Sequence, residues 1–184
     1  MVSGKRAMLG IAAVVALAGT GLTASSLLQF GGSGTAQPIA FPHDLHAGPV
    51  NQIPCMYCHS TADRSVDAGI PSVQVCAGCH ILASGTIPPA QATASFRPDS
   101  TEIRKLVQYW REQQPIPWVR IYDLPDHAHF PHMRHVNANV QCQECHGPVE
   151  TMRVVEQFPS MQMGWCIDCH RQRAVRTDCI VCHY

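Results

Sequence analysis

Only two stretches of the chain carry a readable rhythm of apolar and polar positions. The first is Ala7 to Phe30, AMLGIAAVVALAGTGLTASSLLQF, which holds no charge. As a helix rising about 1.5 Å per residue it would cross a hydrocarbon core of about 30 Å. Lys5 and Arg6 precede it, and no charge follows until Asp44. That asymmetry keeps the amino terminus in the cytoplasm and sends the rest across. The pattern predicts an N-terminal transmembrane anchor over residues 1–30 and a flexible tether over 31–40. Gly10, Ala12, Ala13, Ala16, Gly19 and Gly21 would let a second membrane helix approach closely. The competing reading is a cleaved signal peptide, with Gly34 and Ala36 as the small residues of its processing site. The second stretch lies near the middle. Asp99-Ser-Thr-Glu102 reads as a capping box. Ile103, Leu106, Val107 and Trp110 then fall on one helical face. The spacing predicts a helix over about 101–113 that stops before Pro115. The run from Pro115 to Pro125 reads as extended.

Elsewhere no periodicity survives, and composition says why an ordinary core is not to be expected. The chain has 184 residues, with 14 Pro and 13 Gly interrupting it. A chain so interrupted needs disulfides, metal or a cofactor to fill its interior. Lys plus Arg is 13 and Asp plus Glu is 13, so the net charge is zero. Bulk charge therefore does not point to nucleic acid.

The 10 cysteines and 11 histidines change the picture. Every cysteine falls in one of five copies of a single motif: Cys55-Met-Tyr-Cys58-His59, Cys76-Ala-Gly-Cys79-His80, Cys142-Gln-Glu-Cys145-His146, Cys166-Ile-Asp-Cys169-His170 and Cys179-Ile-Val-Cys182-His183. C-x-x-C-H is the attachment signature of c-type haem. Two thiols add across the two vinyl groups, and the histidine that follows becomes the proximal iron ligand. Zinc knuckles and disulfide frameworks also use paired cysteines. Neither requires a histidine after every second cysteine. The sequence therefore predicts five covalently bound haem c groups, with His59, His80, His146, His170 and His183 as proximal ligands.

A repeat supplies the second ligands. Phe41-Pro-His43-Asp-Leu-His46 precedes one group of motifs and Phe130-Pro-His132-Met-Arg-His135 the other. Two imidazoles three residues apart point to one side of a helical turn. The predicted organisation is a dihaem module at 41–80, a linker at 81–129 and a trihaem module at 130–184. Four repeat histidines leave one iron short. His127, His129, Met152, Met161 and Met163 are the remaining donors, since a thioether also ligates haem iron. Eleven of the 13 basic residues are Arg, the side chain that binds carboxylates bidentately and stays charged when buried. Arg64, Arg97, Arg104, Arg120, Arg153 and Arg171 are candidate partners of haem propionates.

Three stretches carry a family resemblance: 41–80, PIPWVRIYDLPDHAHFPHMRH at 115–135, and MGWCIDCHR with DCIVCHY at 163–184. In them the chain resembles the membrane-anchored pentahaem subunit of alternative complex III, a bacterial quinol-oxidising complex. Its modules are similar to cytochromes c7 and c3. The resemblance implies a multihaem c-type cytochrome fold, haem-packed and mostly irregular with short α-helices. By the c7 pattern His43 would serve the haem of His59, His46 that of His80, His132 that of His146 and His135 that of His170. A third c7 histidine serves the last haem, and Met163 stands nearly in its place, so Met163 would serve the haem of His183. The implied role is an electron relay outside the bacterial cytoplasmic membrane, not an enzyme on its own. The implied partners are an iron–sulfur or molybdopterin-like subunit, integral membrane quinol-binding subunits, and a monohaem cytochrome c or cupredoxin as acceptor. Two other readings compete. A self-contained quinol dehydrogenase of the NapC/NrfH type would have a similar anchor. A multihaem reductase would need an open iron, which five motifs all ending in histidine do not offer.

Overall fold

The computed structural model describes residues 34–82 and 91–184. The anchor expected over 1–30 lies outside the described residues. Among those described, no helix is long and apolar enough to cross a membrane.

The architecture is a series of short helices joined by irregular chain. In order they are α1 (His43–His46), α2 (Cys55–Cys58), α3 (Val73–His80), strands β1 (Ile81–Leu82) and β2 (Thr93–Ala94), α4 (Thr101–Glu112), α5 (His132–Asn137), α6 (Cys142–His146), a 3-10 turn at Val149–Thr151, α7 (Met163–Gln172) and a second 3-10 turn at Cys179–Val181. Proline sets where several begin. Pro42, Pro54 and Pro131 occupy the N-cap positions of α1, α2 and α5 with extended backbone angles. Proline lacks an N–H, and no intrahelical bond is lost at that position.

Packing is concentrated in one place. The motif helix α3 lies against α4, and β1 pairs antiparallel with β2, Ile81 opposite Ala94 and Leu82 opposite Thr93. Ile39, Ala77, Ile81, Ala92, Leu106, Val107 and Ile116 form one buried apolar cluster, with Ile103, Trp110 and Trp118 against it. The face expected from the sequence is the face α4 buries: Leu106 is 4% exposed and Val107 7%. The helix ends at Gln113, whose φ of 52° is left-handed. Its start differs from expectation. Ser100 is the N-cap and makes no side-chain capping bond. Glu102 instead accepts the Ala40 N–H at 2.7 Å and Lys105 Nζ at 2.8 Å. The carboxylate ties the end of the tether to α4, so it is not free to cap. A side chain that reaches back to an N-cap N–H occurs at α6, where the Gln141 N–H donates to Glu144 Oε1 at 3.0 Å.

Residues 34–184 form one compact unit, and the two haem-motif stretches interlock within it. The Asp44 N–H donates to the Met152 carbonyl at 3.0 Å, and Arg153 pairs with Asp44 at 3.3 Å. The His132 N–H reaches the Val66 carbonyl at 2.9 Å, and Asn137 Nδ2 reaches the Asp63 carbonyl at 3.0 Å. Gly48 sits where the end of α1 meets the 3-10 turn. A Cβ there would strike the carbonyls of Asp44 and Glu150, so only glycine permits the approach.

Candidate haem-binding sites

Each F-P-H-x-x-H segment builds a positioning box from its own residues. In the first, the Phe41 ring stacks on His46 (centroids 4.2 Å, planes 25° apart) and meets His43 edge-on (4.8 Å, 83°). In the second, Phe130 stacks on His135 (4.2 Å, 29°) and meets His132 edge-on (4.9 Å, 89°). The proline carbonyl holds the second histidine of each box: His46 Nδ1 donates to Pro42 O at 2.8 Å, and His135 Nδ1 to Pro131 O at 3.1 Å. The phenylalanine and proline therefore have a role that the sequence did not disclose: they fix ring planes and a tautomer.

The same device recurs at the motif histidines. His59 Nδ1 donates to Gly69 O at 2.7 Å, His170 Nδ1 to Arg176 O at 2.9 Å, and His183 Nδ1 to His127 O at 2.7 Å. His132 Nδ1 donates to Val66 O at 2.9 Å. A donated Nδ1–H leaves the Nε2 lone pair free for a metal and fixes the ring's orientation. His146 has an aromatic neighbour: Tyr122 meets it edge-on at 4.6 Å, while the Tyr122 hydroxyl accepts the Phe158 N–H at 2.9 Å.

Three proximal histidines lie close to repeat histidines. Ring centroids are 6.0 Å apart for His46 and His80, 6.4 Å for His132 and His146, and 6.1 Å for His135 and His170. An iron between two imidazoles, with metal–nitrogen bonds of the usual histidine length, would set centroids about 6.3 Å apart. Burial foremost, then the fields of His59 and His46, push the pKa of His43 down to about 4. Burial also lowers His80, His135 and His146. Neutral imidazoles are the form that ligates a metal.

The donors weighed for the last iron lie in different places. His127 stacks against His183 with centroids 5.5 Å apart and planes at 27°. His129 stacks instead on Tyr184 at 4.5 Å. Met163, the donor the resemblance pointed to, opens α7 and is 64% exposed. The ring against His183 is that of His127. Position along the chain hid this, because His127 precedes the second box and not the motif it faces.

All ten cysteines are free thiols. Burial pushes the thiols of Cys58, Cys76, Cys142, Cys145 and Cys166 up, with the neighbouring thiols adding to it. Covalent haem fits these residues on three counts. The thiols are unpaired, four pairs of imidazoles lie 5.5–6.4 Å apart, ring centre to ring centre, and the three C-terminal motifs sit where the protein supplies no apolar filling. The arginines are less decisive: Arg64 pairs with Asp63 at 2.9 Å and Arg120 with Asp123 at 3.3 Å. Arg104 donates to the Asp99 carbonyl at 2.7 Å, and Arg153 holds Asp44.

No protein-family model matches the chain. The chain is similar to the multihaem cytochrome c subunit of the menaquinone reductase of Nitratidesulfovibrio vulgaris, being 29% identical over 110 residues. That stretch is 60% of this chain and 45% of that protein, so the match spans under half the length of the relative. The likeness, with the motifs and paired imidazoles, supports a multihaem c-type cytochrome, with covalently bound haem and electron transfer as its chemistry.

Proposed function

We propose that the chain carries five covalent haems and acts as the electron-relay subunit of a membrane-bound quinone-converting complex. Bound haem supplies one-electron chemistry, and the protein holds and tunes it. The observation that carries this reading is the pairing of imidazoles. Four motif histidines have a second imidazole within 6.4 Å, ring centre to ring centre: His46 by His80, His132 by His146, His135 by His170 and His127 by His183; His43, the remaining box histidine, would serve His59. An iron closed on both faces has no position left for a substrate, which favours relay over reductase chemistry. In this reading His127, not Met163, completes the fifth site.

The complex is a quinol:acceptor oxidoreductase of the alternative complex III kind, with the chain anchored by residues 1–30 and its haems on the periplasmic side. Its neighbours are an iron–sulfur or molybdopterin-like subunit and membrane subunits that bind quinol; a monohaem cytochrome c or cupredoxin takes the electrons. A second reading has a specific support. The similar protein belongs to a menaquinone reductase, and there the flow would run toward quinone.

The test is intact mass of the matured chain, followed by mild detergent purification with mass identification of what comes with it. Five haem additions and a quinone-site membrane subunit are expected. Four additions or fewer overturn the haem count, and a chain that purifies alone and oxidises quinol overturns the relay role. Midpoint potentials measured against the quinone pool then give the direction.

A further inference from the structure

We infer that the five haem sites form a single line whose order differs from their order in the sequence: the site of His80, then those of His59, His146, His170 and His183. This rests on the five-haem reading above and adds the sequence of neighbours to it.

Each junction in the line is carried by its own contacts. The Phe41 box joins the second site to the first, its ring touching His46 and His43 alike. The loop after the first motif joins the first site to the third, its Val66 carbonyl receiving His132 Nδ1. The Phe130 box joins the third to the fourth, its ring touching His132 and His135, and Arg173 Nη2 crosses that junction to Glu144. The short segment after the fourth motif joins it to the fifth: the Arg176 carbonyl receives His170 Nδ1, and the Arg176 side chain pairs with Asp178, which directly precedes Cys179.

The junction between the first and third sites is built most heavily, although 82 residues separate His59 from Cys142 in the sequence. The loop after the first motif supplies Gly69 O to His59 and Val66 O to His132. One short loop therefore positions the proximal ligand of one site and the distal ligand of the next. The Ser65 carbonyl also accepts the Met133 N–H at 3.0 Å, and the Asp44 N–H bonds to Met152 beyond the third motif. Gly69 has a φ of +78°, a backbone state that glycine adopts without strain, and its carbonyl is the one that receives His59. The loop is shaped for this double duty.

The line places the sites of His80 and His183 at its two ends, where exchange with partners occurs, and the site of His59 in its interior. Each interior step oxidises one ferrous haem and reduces its ferric neighbour; no bond or proton changes place. Iron-edge anomalous diffraction from crystals of the holoprotein tests the order. The expected result is five irons in which that of His59 has the irons of His80 and His146 as its nearest neighbours. An iron of His80 nearest to that of His170 or His183, or a branched arrangement, overturns the line. Fewer than five irons overturns the haem count on which the line rests. A solution measurement keeps the order testable without crystals. His43→Met raises the potential of the His59 site, so that site fills with an electron earlier. The apparent midpoints of the sites of His80 and His146 should then move negative through repulsion, with that of His183 unmoved. A shift at the His183 site equal to that at the His146 site overturns the line.

Discussion

Residues 39–116 and residues 117–184 are held together by different means. The first region contains every buried apolar side chain of the described residues, and its helix α4 covers the second haem motif. The second carries three motifs and no buried apolar side chain; residues 171–180 are exposed throughout. One region has a conventional core to which haem is added. In the other, the imidazole pairs, the backbone carbonyls that hold them and the haem itself have to serve as the interior. A cofactor can stand in for apolar side chains because it is a large apolar plate fixed at several points, and folding free energy then depends on attaching it.

The sharpest way to break this contrast is to withhold haem. In a chain expressed without haem attachment, amide hydrogen exchange across 130–184 should approach the rate of an unfolded chain, while Thr101–Glu112 keeps measurable protection. Equal protection in both regions would remove the contrast. The next effect in size is loss of one axial ligand in the weakly packed region. His127→Ala should convert one haem to a high-spin optical spectrum and move its potential, since axial choice spans about 0.8 V in all. Met163→Leu should leave spectrum and potentials unchanged. A sulfur-to-iron charge-transfer band in the wild type that disappears in Met163→Leu would restore the thioether to the fifth site.

The legibility of the sequence follows the same division. The cysteine motifs, the repeat histidines and the buried face of α4 could be read because each rests on local spacing. Three residues apart is one side of a turn, and seven apart is one stripe. What could not be read depends on distance in the chain. Glu102 is drawn away from its capping role by Ala40. His127 meets a histidine 56 positions later. The interlocking of the dihaem and trihaem stretches through Asp44 and Val66 has no periodic signature at all. Tyr122, which orients His146 from the supposed linker, lies in the extended run, where no spacing marks it.

Smaller substitutions sharpen the contrast further. Leu106→Ala should cost about 2–5 kcal/mol, as for other buried leucines. Chemical denaturation would register it in the melting of the first region, with the spectra of the three C-terminal haems unaffected. Phe130→Ala removes a stacked ring worth about 0.5–1.5 kcal/mol beyond its area. Its effect should appear as broadened spectra of the haems served by His132 and His135, and Phe41→Ala should do the same for those of His43 and His46. Should Phe130→Ala disturb the first region as much as the second, the boxes are not the independent devices that their matching geometry indicates.

The loop at 66–69 also sets a timetable. Each F-P-H-x-x-H box closes on itself through contacts four residues apart, which form early in a folding chain. The Val66 carbonyl, by contrast, receives a histidine 66 positions further on. A chain emerging amino terminus first can complete its first box and attach its first two haems while that carbonyl still has only water for a partner. Arrival of the second box then latches the two halves, so maturation should pass through a dihaem species that is covalently complete yet conformationally open.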